Sequence, residues 1–422
     1  MTRQSGSQAT TGESSSSPIV ESGDHPHAEN GHGVRRARPI VGGLGIVAVV
    51  LAAYLLSQSG QTAASLSLLI GGSLGILFQR GRFCFYCILR DFIEDRNGAP
   101  LYSLLAALAV GAVGYAFVFG MFLPDPTTGR LPPQAHIGPV SWVLVAGGVA
   151  FGVGMALSGA CISGHLYRLG EGYFRAVPAL LGSLVGFGVG FVTWNSLYIG
   201  TIASAPTLWL PATFGYGGAL LLFLGLIAVL AWYLLRYVPE SAGSSPGRLD
   251  ATRIRKLLLG KRWNGLVTGA LVGVVGVFAY LRIEPLGVTS QLSSITRTVL
   301  DGTDLLPDRL YGLDVLRGCV AVVVDTITNN GWLIIGLVAA SAASAFASDR
   351  FRPVWPGVVG SSTALAGGIL MGWGSMVALG CTVGVLLSGS SALAVSGLVF
   401  GVAVFAGVYL GIKLRFHRWN SS

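Results

Sequence analysis

The sequence predicts an all-α polytopic membrane protein: an inverted-repeat helical bundle with broken or re-entrant helices, about ten crossings, and both termini inside. Three observations predict it. The 422 residues are 52% hydrophobic and 11% charged, with a mean hydropathy of +0.68, whereas a soluble domain is roughly 25% charged. A glycine-rich pattern ending at a lone cysteine occurs twice, as FGVGMALSGACISG around Cys161 and MGWGSMVALGCTVG around Cys381. Basic residues, finally, fall mostly in alternate connecting segments.

In each copy of the pattern, glycines stand nine and seven residues before the cysteine (Gly152 and Gly154; Gly372 and Gly374) and three after it (Gly164; Gly384). Such self-similarity marks an internal repeat. Glycine is 62 of the 422 residues, about double the usual ~7%. In a membrane it lets helices approach closely and tolerates breaks beside a midplane site.

Residues 1–38 are rich in Ser, Thr, Gly and His and are expected to form a disordered cytoplasmic tail. His25, His27 and His32 within it read as solvated side chains rather than metal ligands. Residues 39–57 follow Arg35, Arg36 and Arg38; they are long enough to span and lack a signal-type cleavage site, so they read as an extra, retained helix. A first transport repeat, 63–194, holds spans 63–79, 101–122, 140–158 and 176–194. Residues 212–235 connect, and 239–262 form a basic cytoplasmic linker. The second, inverted repeat, 264–412, holds spans 264–281, 331–347, 357–379 and 393–412, followed by a basic cytoplasmic tail, 413–422. The outer segment 282–330 is long, and its structure is not legible from the residues.

With ten crossings starting inside, 22 of the 27 Lys and Arg fall on inner segments; Arg130, Arg282, Arg297, Arg309 and Arg317 fall outside. This is the positive-inside pattern. The net charge of +9 therefore sets orientation and calls for a lipid bilayer, not a nucleic acid. The span before Cys161 is the fourth and the span before Cys381 the ninth. The odd offset turns the second copy upside down, with Cys161 toward the cytoplasm and Cys381 toward the outside.

A second thiol-bearing break follows span 63–79: Arg80-Gly81-Arg82-Phe83-Cys84-Phe85-Tyr86-Cys87. Its counterpart after 264–281 reads Glu284-Pro285-Leu286-Gly287-Val288-Thr289-Ser290, with hydroxyls in place of the thiol. The expected pathway is lined by Cys84, Cys161, Thr289, Ser290 and Cys381, and its helix breaks by Gly81, Gly159, Gly164, Gly287, Gly380 and Gly384. An isolated cysteine in an apolar helix is ordinarily a small buried hydrophobe; the matched glycine register argues against that for Cys161 and Cys381, while Cys87 and Cys319 keep the bland reading. None of the ten spans contains Asp, Glu, Lys, Arg or His, residues that proton-coupled pumps carry in theirs. Arg82 and Arg168, beside the inner thiols, are the candidates for steering an anion. Thiols are weak donors on a polarizable sulfur, and broken helices add free N–H groups and a positive dipole end. Together they suit a diffuse sulfur-bearing anion held weakly enough to move on. No cofactor, metal site or catalytic residue is expected. Two rivals stay open: a membrane thiol-disulfide oxidoreductase using Cys84 and Cys87, and a membrane scaffold for a sulfurtransferase.

RGRFCFYCILRD, SGACISGHLYRLGEG and LGCTVG together resemble the YeeE/YedE sulfur-transport family of bacterial inner-membrane proteins, over roughly residues 63–412. The resemblance implies uptake of thiosulfate or a related sulfur anion by an inner-membrane permease. It implies passage between thiols at Cys84, Cys161 and Cys381 and a cytosolic sulfur-carrier protein as partner. The family pattern has a further cysteine in the second half; here Thr289 holds the repeat-equivalent position and Cys319 lies in the outer segment, so either Cys319 serves or that thiol is lost. A dianion entering a negative-inside cell costs roughly 4–5 kcal/mol at about 100 mV, so passage is expected to be drawn by consumption inside.

Overall fold

The computed structural model describes residues 32–238, 263–307, 309–313, 323 and 326–416, with side chains from residue 40 onward. Fourteen helices account for the architecture among them: α1 (His32–Gln58), α2 (Thr62–Gly81), α3 (Phe85–Asp95), α4 (Leu101–Phe122), α5 (Trp142–Ser158), α6 (Ile162–Gly170), α7 (Ala176–Gly200), α8 (Leu210–Leu234), α9 (Gly265–Arg282), α10 (Ser290–Leu300), α11 (Asn329–Ala347), α12 (Val358–Val377), α13 (Thr382–Gly389) and α14 (Val395–Lys413). Nine helical runs are long and apolar enough to cross a membrane, and α12 with α13, bent by 43° at residues 378–381, makes a tenth. Among the described residues β-structure is confined to isolated bridges.

The ten long helices coincide with the ten apolar runs to within a few residues, because a backbone in hydrocarbon must satisfy its polar groups internally. Two boundaries move. The helix expected to start at 39 begins at His32, so the end of the expected disordered tail is helical. The span expected to end at 194 continues to Gly200. The linker 239–262, most of the N-terminal tail, the last residues of the C-terminal tail, and Cys319 lie outside the described residues.

Small residues set the packing. α2 lies on α11, α4 on α9, α5 on α14 and α7 on α12, while α5 also crosses α12. At the last crossing a Cβ added to Gly154 would stand 2.6 Å from the Gly367 carbonyl oxygen, and one added to Gly367 would stand 2.5 Å from that of Gly154. Backbone meets backbone there, which only glycine permits. Gly147 faces Gly374 in the same way, so residue numbers rise along α5 as they fall along α12: the two helices are antiparallel. In the other four pairs the numbers rise together, as where Gly71 and Gly75 of α2 meet Leu333 and Leu337 of α11, or Gly269 and Gly273 of α9 meet Ser103 and Ala107 of α4. In the order α2, α4, α5, α7 and α9, α11, α12, α14, each first helix therefore pairs with the other set's second, and each third with the other's fourth.

α1 and α8 stand outside this scheme. Only 11% and 17% of their apolar windows are buried, against 39–67% for the other single runs. Most of their apolar length is left uncovered by the rest of the described chain.

Candidate functional site

Each of the four breaks in the paired set ends at a residue singled out by the sequence. Cys84 is the N-cap of α3, Cys161 of α6, Thr289 of α10 and Cys381 of α13. The equivalence extends to the hydrogen bonds. The carbonyl of each accepts the amide four residues on: Ile88 at 3.0 Å, His165 at 2.8 Å, Ser293 at 2.9 Å and Val385 at 2.7 Å. All four residues are at most 1% exposed, and the three thiols belong to one continuous buried cluster. An N-cap leaves the first-turn N–H groups pointing outward with the positive end of the helix dipole.

Two of the four meet directly. A Cβ on Gly164 would stand 2.8 Å from Cys84 Sγ and 3.3 Å from Cys161 Sγ, so both sulfurs flank the same glycine face. Cys87 packs against the buried cluster that holds both. Cys161 Sγ accepts from the Gly164 amide at 3.3 Å and lies 3.3 Å from Ser163 Oγ. Thr289 Oγ1, at the N-cap of α10, is buried without a hydrogen-bond partner. Ser290 is half-buried one residue into α10, and its carbonyl accepts from Ser293 Oγ.

The expected break glycines divide into two groups. Gly159 (φ 87°) and Gly380 (φ 152°) do turn the chain at the two cysteine-bearing breaks. Gly81 is the last helical residue of α2, and the left-handed position after it is taken by Arg82 (φ 51°); Leu379 (φ 61°) is left-handed beside Gly380. Gly164 and Gly384 lie inside α6 and α13, because the cysteine rather than the glycine is the helix start. Gly287 keeps a negative φ. Gly164 is there to admit two sulfurs, not to bend the chain.

The two steering arginines also part company. Arg82 is exposed at the end of α2. Arg168 is half-buried, donating from one Nη to the Gly159 carbonyl at 3.1 Å and from the other to Cys87 Sγ at 2.8 Å. Cys87, bland by sequence, is thus attached to the thiol cluster. Its i, i+3 spacing from Cys84, near the start of one short helix, is the signal that pointed there. Arg175 was passed over as well: it donates to the carbonyls of Leu157 and Ser158 at 3.1 and 3.0 Å and to Thr363 Oγ1 at 2.9 Å, closing the end of α5. Nearby, Gln79 donates to Glu171 at 3.2 Å and accepts from Ser344 at 2.8 Å; burial pushes the Glu171 carboxyl above its usual range, opposed by Arg168. Glu284, five residues before Thr289 as Gln79 is five before Cys84, accepts from Asn330 at 2.9 Å and is likewise raised by burial.

Cavities adjoin the break regions of both halves. Next to Cys381, a cavity of about 30 Å³ is lined by His136, Ser141, Ser396 and the chain from Val377 to Leu379, about the room of one water. Burial lowers His136 to about 4, so its imidazole is neutral. A cavity of about 260 Å³ adjoins Arg168, Arg175, His165 and Tyr86.

The chain matches a family model described as sulphur transport over residues 80–410. It is 28% identical over 363 residues to the thiosulfate transporter TsuA of Escherichia coli (strain K12), covering 83% of this chain and 94% of that protein. It is 26% identical over 364 residues to the thiosulfate transporter TsuA of Spirochaeta thermophila, covering 83% and 98%. A shorter match, 27% over 196 residues, covers 44% of this chain and 46% of the probable transporter YedE of Escherichia coli (strain K12).

Proposed function

The chain belongs to the sulphur transport family, and on that footing we propose that it is an inner-membrane permease for thiosulfate or a closely related sulfur anion. The anion passes between the thiols of Cys84, Cys161 and Cys381 and the hydroxyl of Thr289, at the centre of an inverted repeat. One observation carries this reading: four buried residues, three with sulfur and one with an unpartnered hydroxyl, occupy the N-cap positions of four short helices. The reciprocal helix pairing and the antiparallel crossing of α5 and α12 support the inversion.

The chemistry follows from the donors. A short helix offers its first-turn amides to a negative group without carrying a full countercharge. A thiol adds a weak donor on a polarizable atom. A small, strongly hydrated anion gains too little from such donors to shed its water. A large one with a terminal sulfur loses less hydration and matches the thiol surface. Weak, successive contacts of this kind favour passage over capture. With Cys161 toward the cytoplasm, a cytosolic sulfur-carrier protein takes the anion up on leaving and draws further entry.

The test is growth of a host that lacks its own sulfur uptake, supplied with thiosulfate or sulfate as sole source. The chain is expected to restore growth on thiosulfate alone. Cys161→Ala and Cys381→Ala are each expected to abolish it at unchanged membrane abundance. Full growth with Cys161→Ala would remove the thiol route.

A further inference from the structure

We infer that Glu284 and Asn330 form a proton-binding site, and that a proton bound there admits the sulfur dianion to Thr289 and Cys381; this deepens the permease reading and rests on it. Glu284 lies in the break between α9 and α10, outside the membrane-spanning helices, and is half-buried. Its carboxyl accepts from Asn330 Nδ2 at 2.9 Å. Asn330 is 5% exposed, and its other polar atom, Oδ1, has no hydrogen-bond partner among the described residues. An ionised carboxylate only accepts, so it cannot serve that oxygen. A protonated one can. With the proton on its second oxygen, Glu284 donates to Oδ1 while still accepting from Nδ2, and acid and amide close a ring of two hydrogen bonds. The unpartnered Oδ1 marks where the bond from that proton is missing.

The charges around Glu284 agree. Burial raises its carboxyl above the usual range, and no described charge acts on it. Arg282, two residues earlier and the one charge on α9, is exposed; α10 carries Arg297 two turns in, and α11 carries no charge. Asp301, Asp304 and Arg309 are exposed farther along the outer segment, while Asp308, Asp314, Arg317 and Asp325 lie outside the described residues. Glu171, in the other carboxyl–amide pair, is the contrast. There Gln79 donates to the carboxyl at 3.2 Å, but its own oxygen already accepts from Ser344 Oγ at 2.8 Å, and Arg168, Arg82 and Arg350 all favour the ionised form. At Glu284 both the donor and the cations are missing, and a proton supplies what they would.

Hydrogen bonds tie the pair to the route. Residues 285–289 are buried, and the Leu286 carbonyl accepts at 3.1 Å from Ser388 Oγ, on the helix that Cys381 caps. Gln291, in the first turn of α10, accepts from the Thr328 amide at 2.9 Å and from Thr328 Oγ1 at 2.6 Å; Thr328 caps α11, two residues before Asn330. Five residues of chain reach at most ~18 Å, so the carboxyl of Glu284 stands within about that distance of Thr289. Its ionised form repels a dianion there and its neutral form does not. With an effective dielectric of about 20 and some screening by salt, that repulsion slows entry by roughly 10-fold.

The test is uptake of labelled thiosulfate into proteoliposomes of the purified full chain, at equal pH on both faces, from about pH 5 to about pH 8. Thiosulfate stays doubly charged over this range. Glu284→Gln is the variant: its amide accepts from Nδ2 and donates to Oδ1, reproducing the proton-bound pair at every pH. Wild-type uptake is expected to fall by roughly 10-fold as pH rises and the carboxyl ionises, whereas Glu284→Gln is expected to hold the low-pH rate throughout. Infrared titration of the same samples gives a readout free of transport. A protonated-carboxyl band is expected to persist above about pH 5 in the wild type and to be lost in Glu284→Gln. If the variant loses no such band, the proton site is overturned, whether or not the vesicles take up thiosulfate. If the band is lost but uptake follows the same pH profile in both proteins, the link from proton to entry is overturned. A wild type that shows the band and takes up no thiosulfate at any pH would remove the permease reading, and the link to entry with it, and leave the proton site standing.

Discussion

Alanine at Gly164 tests the meeting of the two thiols most sharply. The new methyl carbon would stand 2.8 Å from Cys84 Sγ, 3.1 Å from Ala160 Cβ and 3.3 Å from Cys161 Sγ. Two effects compete. Alanine is favoured over glycine inside a helix by about 1 kcal/mol, while overfilling a packed interior costs about 1–3 kcal/mol. The contact with Cys84 is the shortest, so the balance is a loss of roughly 0–2 kcal/mol. Trimming Cys84 to alanine removes the nearest atom. The pair Gly164→Ala with Cys84→Ala should then be more stable than the sum of the single changes by about 1 kcal/mol or more, well outside the ~0.5 kcal/mol of independent sites. Unfolding of the four proteins in detergent, followed by circular dichroism, closes the cycle. Simple additivity would mean that the Cys84 sulfur does not occupy the space above Gly164.

Three further outcomes follow from the geometry. Thr289→Val removes a buried hydroxyl that has no partner, so it should keep or slightly raise stability, by up to about 1 kcal/mol, yet reduce thiosulfate uptake; normal uptake would take Thr289 out of the route. Because burial raises Glu171, the folded chain holds its proton more tightly than the unfolded one, and this group's contribution falls as pH rises from about 4.3 through the raised value. Glu171→Gln, whose amide oxygen still accepts from Gln79, should therefore be the more stable protein at pH 8 and equal to wild type below about pH 4; a less stable variant at pH 8 would contradict that. Gly269→Ala drives a methyl into the Ser103 carbonyl where α9 meets α4, where neither backbone can yield alone. A loss of about 1–3 kcal/mol or more is expected in thermal unfolding, and a change within about 0.5 kcal/mol would show that the helices are not in backbone contact.

The ten long helices were legible because each is a continuous apolar run with few charges, the strongest signal a membrane chain gives. The breaks at Cys161 and Cys381 were legible from their glycine register, and those at Cys84 and Thr289 from their place after the preceding span. What escaped had no periodic trace. α10, Ser290–Leu300, is polar and short (SQLSSITRTVL) and hides in the outer segment. The π-helical turn of α13 has no sequence mark separate from an apolar run. The glycines after the cysteines looked like hinges because glycine serves both bending and close approach; only the N-cap position of the cysteines separates the two uses at Gly164. Arg168 and Cys87 are 81 residues apart, so their contact depends on how α3 lies against α6. Arg175 reaches Thr363 across 188 residues. Local pattern places such residues near a break but does not say which of them meet.

Uptake of radiolabelled thiosulfate into proteoliposomes containing only the purified chain asks whether the thiols themselves carry the anion. Wild type should show saturable uptake, and Cys161→Ala should fall to the level of protein-free vesicles while remaining folded. Wild-type rates with Cys161→Ala would show that the anion crosses by some other path.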